Sequence, residues 1–446
     1  DRGEHLALVK GDLTGPDPVL VRMHAVDILD DMTGGPHWVA VHDARFTCDG
    51  HGKSERLDRS AGVDGDRLYL QNGGFVVTWT DSSLDGDGDG IFAQVFNASG
   101  AKVGTDFQVN TSTQSSQNTS AVVGLSDSSF VVAYSSYYST TTSSYYDVLA
   151  QRFAADGTAL GAEFALNTQV SGTQSQPQLS ALSGGGFVAI WADSAGDASG
   201  YGIVAQRFAS DGGKVGSEIA VNATTTGTQQ GPDVAGLPDG GFVAVWEYNN
   251  DIYAQRFDAS GNKAGAELVV TTQDTRAYQN YARVDTLDDG GFVVTWDSYY
   301  GLSGSSYDIF AQKFDSAGNK IDGAFIVNST VTGVQYEADV AALGGERFVI
   351  SWSGYDQEQA GTVNTYGVFH QLFDTGGSVT RSDAPELLDL TTTVTFDEAV
   401  VNVAPQIIDP GVNLVDTDST DFAGGALWVS KRRPFHLHPF IPRKPM

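Results

Sequence analysis

Apolar and polar segments alternate in a repeated order through the middle of the chain. An apolar run such as GGFVVTW ends in an aromatic residue six times, 50 to 57 residues apart. Each aromatic run is followed by a second run, AQRF in several copies, and then by a third run, FQVN in the first copy. A further apolar run comes before most of the aromatic runs. The aromatic ends are Trp79, Tyr134, Trp191, Trp246, Trp296 and Trp352. Such a period is typical of folds built by repeating one supersecondary unit.

Each repeat predicts four short β-strands. The runs are rich in Val, Ile, Phe, Tyr and Thr, and clusters of Gly, Asp, Asn and Ser separate them, which is the pattern of strands and turns. In the run from Phe75 to Trp79, the large side chains fall on one face, while Val76 lies on the other. Because side chains alternate between the faces of a strand, we expect this strand to be covered on both sides.

A single four-stranded unit cannot bury both of its faces, so the repeats must stack on one another. Radial stacking gives a β-propeller and linear stacking gives a solenoid, and four strands per unit favour the propeller. We predict an all-β fold with a β-propeller of about six four-stranded blades, or seven if the ends complete another blade. Residues 66–70 can serve as the first strand of the first blade.

Composition divides the chain into four segments. Residues 1–60 contain five of the eight His and form an atypical segment, which we interpret as a fragment or fusion remnant. Residues 61–382 form the predicted propeller. Residues 383–430 look like the start of a cadherin- or immunoglobulin-like repeat, a partial β-sandwich. Residues 431–446 form a basic tail that we expect to be disordered.

Charge and cysteine content narrow the function classes. The chain has 25 Lys and Arg against 55 Asp and Glu, a net charge of −30. Sequence-independent nucleic-acid binding needs cationic side chains against phosphates, so we expect no nucleic-acid partner. No apolar run approaches the roughly 18 residues of a membrane-spanning helix. The single Cys excludes an intrachain disulfide. We expect a monomeric module, and we see no signal peptide before the repeats.

Two groups of acidic residues predict calcium sites. Asp85, Asp87 and Asp89 alternate with Gly in the loop after the first aromatic strand, and Asp81 lies just before them. Carboxylates at alternate positions of a tight loop can present oxygen ligands to Ca²⁺. The alternative is a solvated acidic turn. The second predicted group, near the C-terminal end, consists of Asp409, Asp416, Asp418 and Asp421.

The loops that follow the aromatic strands are rich in tyrosine and aspartate. In a propeller these loops emerge on one rim, where a tyrosine ring and its hydroxyl suit a glycan or protein ligand. The alternative is packing between blades. The tyrosines are Tyr137, Tyr138, Tyr145, Tyr146, Tyr201, Tyr248, Tyr299, Tyr300, Tyr307, Tyr355 and Tyr366. The aspartates are Asp147, Asp193, Asp197, Asp251, Asp297, Asp308 and Asp356.

Two other repeated positions predict structural roles. The aromatic residues at the strand ends are expected in the core. A glutamine recurs in the second run, and we expect its amide to tie the backbones of adjacent blades together. These glutamines are Gln94, Gln151, Gln206, Gln255, Gln312 and Gln371.

Units of the form GGFVVTW, YDIFAQRFDASGN and EFxVN resemble repeats in large secreted or surface proteins of Gram-negative bacteria, of the RTX adhesin or haemolysin-type calcium-binding kind. The resemblance covers about residues 66–380. It implies an extracellular or cell-surface, non-catalytic module. The glycine-aspartate nonapeptide repeats of that family are not present in this sequence.

Residues 4–35 are similar to a stretch of the GTP cyclohydrolase II-like part of bifunctional riboflavin-synthesis proteins. That activity needs several zinc thiolates, and the chain has only Cys48. A function in riboflavin synthesis is therefore a less favoured hypothesis for this chain.

Motifs for catalysis are sparse. No Ser-His-Asp arrangement, phosphate loop or HExxH helix is present. Paired carboxylates could form a glycosidase or lyase site in a propeller, but no single pair stands out among so many Asp. The leading expectation is therefore a non-enzymatic, calcium-stabilised propeller module for adhesion or spacing. The alternative is a propeller-type carbohydrate hydrolase or lyase.

Overall fold

The structure is a computed structural model. It describes Leu70 and residues 73–373, apart from residues 82–83, 99, 138–143, 198, 272–277, 300–306, 330–332, 345–346 and 356–365. Short strands near the two ends are also described by their backbone. Contacts divide the chain into two compact units, one formed by residues 2–30 and 34–380 and the other by residues 1, 31–33 and 381–446.

The first unit begins with five short strands. They are β1 (Ala7–Leu8), β2 (Val19–Met23), β3 (Val26–Asp27), β4 (Trp38–Val39) and β5 (Arg45–Cys48). Strand β2 pairs antiparallel with β1 and β5, and β3 pairs with β4.

The repeats follow as a series of antiparallel sheets. The first described sheet has three strands: β6 (Phe75–Asp81), β7 (Gly90–Phe96) and β8 (Lys102–Gln108). The second has four: β9 (Gln117–Gly124), β10 (Phe130–Ser136), β11 (Ser144–Phe153) and β12 (Phe164–Ala165). The third consists of β13 (Gly172–Ala181), β14 (Phe187–Asp193), β15 (Gly202–Phe208) and β16 (Lys214–Ala220). A short parallel pairing joins β11 to β13.

Three further sheets keep the same strand order. The fourth consists of β17 (Gln229–Gly236), β18 (Phe242–Tyr248), β19 (Asp251–Phe257) and β20 (Lys263–Val269). The fifth consists of β21 (Tyr278–Thr286), β22 (Phe292–Tyr299), β23 (Tyr307–Phe314) and β24 (Lys320–Ile326). The sixth has β25 (Gln335–Gly344), β26 (Arg347–Tyr355) and β27 (Tyr366–Phe373). In the other unit, β28 (Glu386–Leu388) pairs with β29 (Asn413–Val415).

The sequence prediction of an all-β fold with four strands per repeat is confirmed in its coarse form. Four consecutive sheets have four strands in chain order, and the described residues contain strands and no helix. Correspondingly, no helix among them is long and apolar enough to cross a membrane.

Each core cluster lies between two consecutive sheets, and the middle strands supply it from both faces. In β14, Phe187 and Trp191 pack toward the second sheet, while Val188 and Ile190 pack toward the fourth. All four are fully buried. Because side chains alternate between the two faces of a strand, each middle strand contributes to two hydrophobic layers, as the apolar residues on both faces predicted.

Aromatic stacking fixes the second and third strands of each sheet against each other. Phe242 on β18 stacks on Phe257 of β19 with ring centroids 4.5 Å apart, and the other five sheets repeat this pair. The residue before Phe242 is Gly241. This position requires glycine, because a Cβ there would lie 2.1 Å from the carbonyl oxygen of Phe257.

The repeated glutamines act within a sheet, which corrects the prediction that they tie neighbouring blades together. Gln206 on β15 donates from Nε2 to the carbonyl of Arg207 and to that of Val215 on β16, at 2.9 and 3.1 Å. The pairing of β15 with β16 has a register shift at this point. The amide therefore replaces ladder hydrogen bonds that the irregular pairing loses.

Acidic side chains near the fourth strands of the second, third and fourth sheets, namely Glu163, Glu218 and Glu267, clamp each of these sheets to the preceding one. Glu163 accepts from Thr111 N at 3.0 Å, and Glu267 accepts from Ala223 N at 2.6 Å. Lys263 Nζ donates to the carbonyl of Asn222 at 3.1 Å. We call these contacts the outer clamps.

Candidate functional site

A bulge in the first strand shapes one edge of each sheet from the second to the sixth. Two residues of the first strand lie opposite the single strand-end aromatic residue of β10, β14, β18, β22 and β26, so the first strand has one extra residue. The first residue of each bulged pair has positive φ: Thr119, Gln176, Gly231, Tyr281 and Glu337. The bulge lies near the edge where the first strand begins and the second ends. We call this edge the rim.

The side chain after the strand-end aromatic residue holds the bulge of the next sheet. Ser135 Oγ accepts from Gln176 N at 3.2 Å, and Glu247 Oε1 accepts from Tyr281 N at 2.7 Å. Asp297 Oδ2 accepts from Glu337 N at 2.8 Å. We call these contacts inter-sheet clasps. They place two acidic side chains, Glu247 and Asp297, at neighbouring positions of the rim.

Glu247 is half-buried and retains access to solvent. Gln230 Nε2 donates to its Oε2 at 3.4 Å, and a Cβ at Gly231 would lie 2.7 Å from its Oε1. Burial raises the pKa of this carboxyl, while the Tyr281 N–H, Gln230 and Arg283 lower it by smaller amounts. The environment therefore favours the protonated acid more than water does.

Asp297 is fully buried. Burial raises its pKa well above the ordinary value, against hydrogen bonds from the backbone N–H groups of Glu337 and Ala338. Because both oxygens face these backbone groups, Asp297 serves as a clasp rather than as a group that reaches a ligand.

Tyr281 lies within electrostatic range of Glu247 and Glu337, and Arg283 lies near Glu247. The Tyr281 side chain is 46% exposed. Burial of its hydroxyl and the nearby Glu337, Asp297 and Glu247 raise its pKa, so the phenol keeps its proton and can donate a hydrogen bond. The positive charge of Arg283 acts on both Glu247 and Asp297.

A second hydrogen-bond network holds three of the seven predicted rim aspartates. Asn167 Nδ2 donates to Asp147 at 2.9 Å, and Asn328 Nδ2 donates to Asp308 at 2.8 Å. Asp197 occupies the equivalent position beside Asn222. Each asparagine also accepts a backbone N–H from the third strand. These aspartates support the loop of their own sheet.

Asp85 belongs to the same network. It accepts hydrogen bonds from Gln108 and Asn110 and is buried, while Asp87 accepts Ser115 N at 3.3 Å and Asp81 accepts Leu84 N at 3.0 Å. No group of three or more His, Cys, Asp or Glu that could hold a metal occurs in the described part of the chain. Calcium binding by Asp81, Asp85, Asp87 and Asp89 stays a prediction. Asp409, Asp416, Asp418 and Asp421 lie outside the described residues.

Several predicted rim tyrosines contact one another. Tyr137 packs on Tyr146 at 5.1 Å, and Tyr299 packs on Tyr307 at 4.9 Å between ring centroids. Tyr201 and Tyr248 pack against the core between the third and fourth sheets. Tyr138 and Tyr300 lie outside the described residues, as do the side chains of Tyr145, Tyr355 and Tyr366.

The prediction from sequence includes Asp297 among the rim residues. It does not include four residues of this site: Glu247, Tyr281, Arg283 and Glu337. One signal was available: the residue after the strand-end aromatic varies among Thr, Ser, Ala, Glu and Asp, and an acid beside a core Trp is unusual.

No protein-family model matches the chain, and no curated protein matches it. Among solved structures, a protein of unknown function from Dyadobacter fermentans is 10% identical, with 68% of this chain and 92% of that chain covered and a TM-score of 0.47. An ulvan lyase, described as a new family of polysaccharide lyase, is 9% identical over 72% and 81%, with a TM-score of 0.49. An α-L-arabinofuranosidase from Lactobacillus brevis is 9% identical over 57% and 92%, with a TM-score of 0.37.

These neighbours correct two predictions. Most are described as carbohydrate-active enzymes, so the predictions of a non-catalytic adhesion or spacer module, and of a chain that is not an enzyme, are wrong. With TM-scores below 0.5, these likenesses assign no role to any residue of this chain. The resemblances to RTX-type proteins and to GTP cyclohydrolase II, and the extracellular location, stay predictions.

Proposed function

We propose that this chain is a carbohydrate-cleaving enzyme, a glycoside hydrolase with Glu247 as its general acid. The observation that carries the proposal is the environment of Glu247: a half-buried carboxyl with a raised pKa, held by a backbone N–H of the next sheet and lying near the phenol of Tyr281 and the guanidinium of Arg283. A general acid at neutral pH needs such a raised pKa.

Glycoside hydrolysis requires two carboxyl groups with different protonation states. One protonates the leaving oxygen, and the other acts as nucleophile or activates water. Glu247 fits the first role. Glu337 is the candidate for the second, because it is partly exposed and lies within electrostatic range of Tyr281, as Glu247 does. Tyr281 is placed to donate a hydrogen bond to a sugar hydroxyl.

We also propose that the six sheets are blades of one β-propeller. The same strand order in successive sheets and the packing of each first strand on the next, from β9 to β25, support radial stacking. Negative-stain electron microscopy of the purified protein tests this point. Round particles with a central depression are expected, whereas elongated particles would favour the solenoid.

The test of catalysis compares two variants on polysaccharides and on aryl glycosides with good leaving groups. Glu247→Gln keeps an oxygen that can accept Tyr281 N–H but cannot supply a proton. We expect kcat on unactivated glycans to fall by about 10²–10⁴. The loss should be much smaller on dinitrophenyl glycosides, because their leaving group needs no protonation.

Glu218→Gln is the matched control, since Glu218 is a partly exposed outer-clamp carboxyl whose oxygen accepts Thr168 N. It should retain wild-type kcat. Equal activity of Glu247→Gln and wild type on both substrate types would refute the role of Glu247. Unsaturated products with strong ultraviolet absorbance would identify a lyase instead.

A further inference from the structure

The fifth sheet carries a row of tyrosines for which the cleavage step has no use. Tyr278, Tyr299 and Tyr307 lie on β21, β22 and β23 and are direct neighbours in register. The ring centroids of Tyr278 and Tyr299 are 6.3 Å apart, and those of Tyr299 and Tyr307 are 4.9 Å apart. Directly opposed residues project from the same face of a sheet, so the rings form one aromatic surface. We call it the tyrosine row.

The tyrosine row is open to solvent at one end. Tyr278 is 52% exposed, the largest exposure of any tyrosine in the described part of the chain, and Tyr299 and Tyr307 are half-buried. An isolated exposed ring is ordinary, but three in contact form an apolar patch with hydroxyl groups at its edge. Such a surface matches the flat C–H faces and hydroxyls of sugar rings.

The row lies beside the candidate acid. Tyr281 is on the same strand as Tyr278, three residues further along, and its backbone N–H donates to Glu247. Its phenol is within electrostatic range of both Tyr307 and Glu247. A glycan that reaches Glu247 could therefore extend over the row.

The charges of the chain favour some glycans over others. Glu247 is the protonated acid and Asp297 is buried with a raised pKa, so the negative charge near Tyr281 is assigned to Glu337. The whole chain carries a net charge of −30. A polyanionic chain would meet a repulsive potential here, whereas a neutral chain would not.

We propose that the tyrosine row binds successive sugar rings of a neutral polysaccharide, so that cleavage occurs within long uncharged glycan chains. This inference rests on the proposed function, because it assigns the row to the same site as Glu247.

Binding is measured on the full chain by titration calorimetry, in the inactive Glu247→Gln background, so that the readout does not depend on turnover. The probes are xylan, arabinan and mixed-linkage β-glucan as neutral polymers, and polygalacturonate and alginate as anionic ones. At least one neutral polymer should bind, and anionic polymers should bind at least tenfold more weakly at low salt. Adding Tyr278→Ala or Tyr299→Ala should weaken neutral binding by about tenfold each.

Val215→Ala is the control, because Val215 is an exposed apolar residue, 39% exposed, on β16 of the third sheet and belongs to neither the predicted rim nor the tyrosine row. It should leave binding unchanged, and thermal melting verifies that all variants are folded. Unchanged binding in both Tyr278→Ala and Tyr299→Ala, or preferred binding of the anionic polymers, would overturn the inference while leaving a Glu247-dependent cleavage intact. Tyrosine-dependent binding of a neutral polymer without cleavage by wild type would support the row and refute the proposed hydrolase.

Discussion

Replacing Asp297 with Ala should weaken the attachment of the sixth sheet to the fifth. Asp297 accepts Glu337 N at 2.8 Å and Ala338 N at 3.4 Å, and its side chain is fully buried. Leaving a buried N–H without an acceptor costs about 1–3 kcal/mol. Since only the shorter bond has good geometry, we expect a loss of about 2 kcal/mol in the free energy of unfolding at pH 5.

The loss should depend on pH in a defined direction. The folded-state pKa of Asp297 is raised, so its contribution to stability is fully present below the unfolded-state pKa and declines as pH rises through the folded one. Wild type therefore loses part of this contribution in alkaline buffer. The difference between wild type and Asp297→Ala should be smaller at pH 8 than at pH 5.

Hydrogen exchange of the peptide that contains β25, together with urea unfolding at both pH values, measures the effect. Asp297→Ala should speed exchange of the Glu337 and Ala338 amides. The control Ser135→Ala removes one acceptor at 3.2 Å from Gln176 N and should affect β13 instead. Unchanged exchange in β25, or a loss that grows with pH, would refute the clasp as the cause.

Further outcomes concern packing, the glutamines, metal and pH. Gly241→Ala should cost about 2–3 kcal/mol in urea unfolding, because its Cβ would lie 2.1 Å from a carbonyl oxygen, while Gly184→Ala has open space and should cost far less. Gln206→Leu removes two hydrogen bonds to backbone carbonyls and should cost about 1–3 kcal/mol; a neutral result would refute its role. If the acidic loop binds Ca²⁺, adding the ion should raise the Tm measured by calorimetry. Replacing Asp85, Asp87 and Asp89 with Asn should abolish this rise. If Glu247 is the general acid, kcat/KM on glycans should fall as pH rises through its raised pKa, and a rate that increases there would exclude it as the acid.

The repeated parts of the fold were predictable from sequence. Tyr134 and the strand-end Trp residues at 191, 246, 296 and 352 are buried, as expected for a pattern that places a large apolar group at the same register each time, whereas Trp79 of the first sheet is only partly buried. Four strands per repeat also follow from the spacing of apolar runs and turn residues. The burial of the aromatic residues and the number of strands per repeat both follow from the types and spacing of residues, which can be read from the sequence.

The candidate site was not predictable in the same way. The bulged positions are occupied by five different residues, including Thr119 and Gly231, so the bulge leaves no pattern in composition. Its geometry comes from the pairing with the second strand. Glu247 and Glu337 both lie within electrostatic range of Tyr281, which occupies the bulge that the Glu247 clasp holds, and the repeat spacing alone does not identify this pair of carboxyl groups.

The clasps and outer clamps have a consequence for modular engineering. Each contact joins one sheet to the next, as Ser135 does with Gln176 and Glu163 does with Thr111. A graft that exchanges a single sheet would therefore separate hydrogen-bond donors from their acceptors at both of its borders. The exchangeable module in this protein is a sheet together with the matching borders of its two neighbours, and chimeras should carry these positions along.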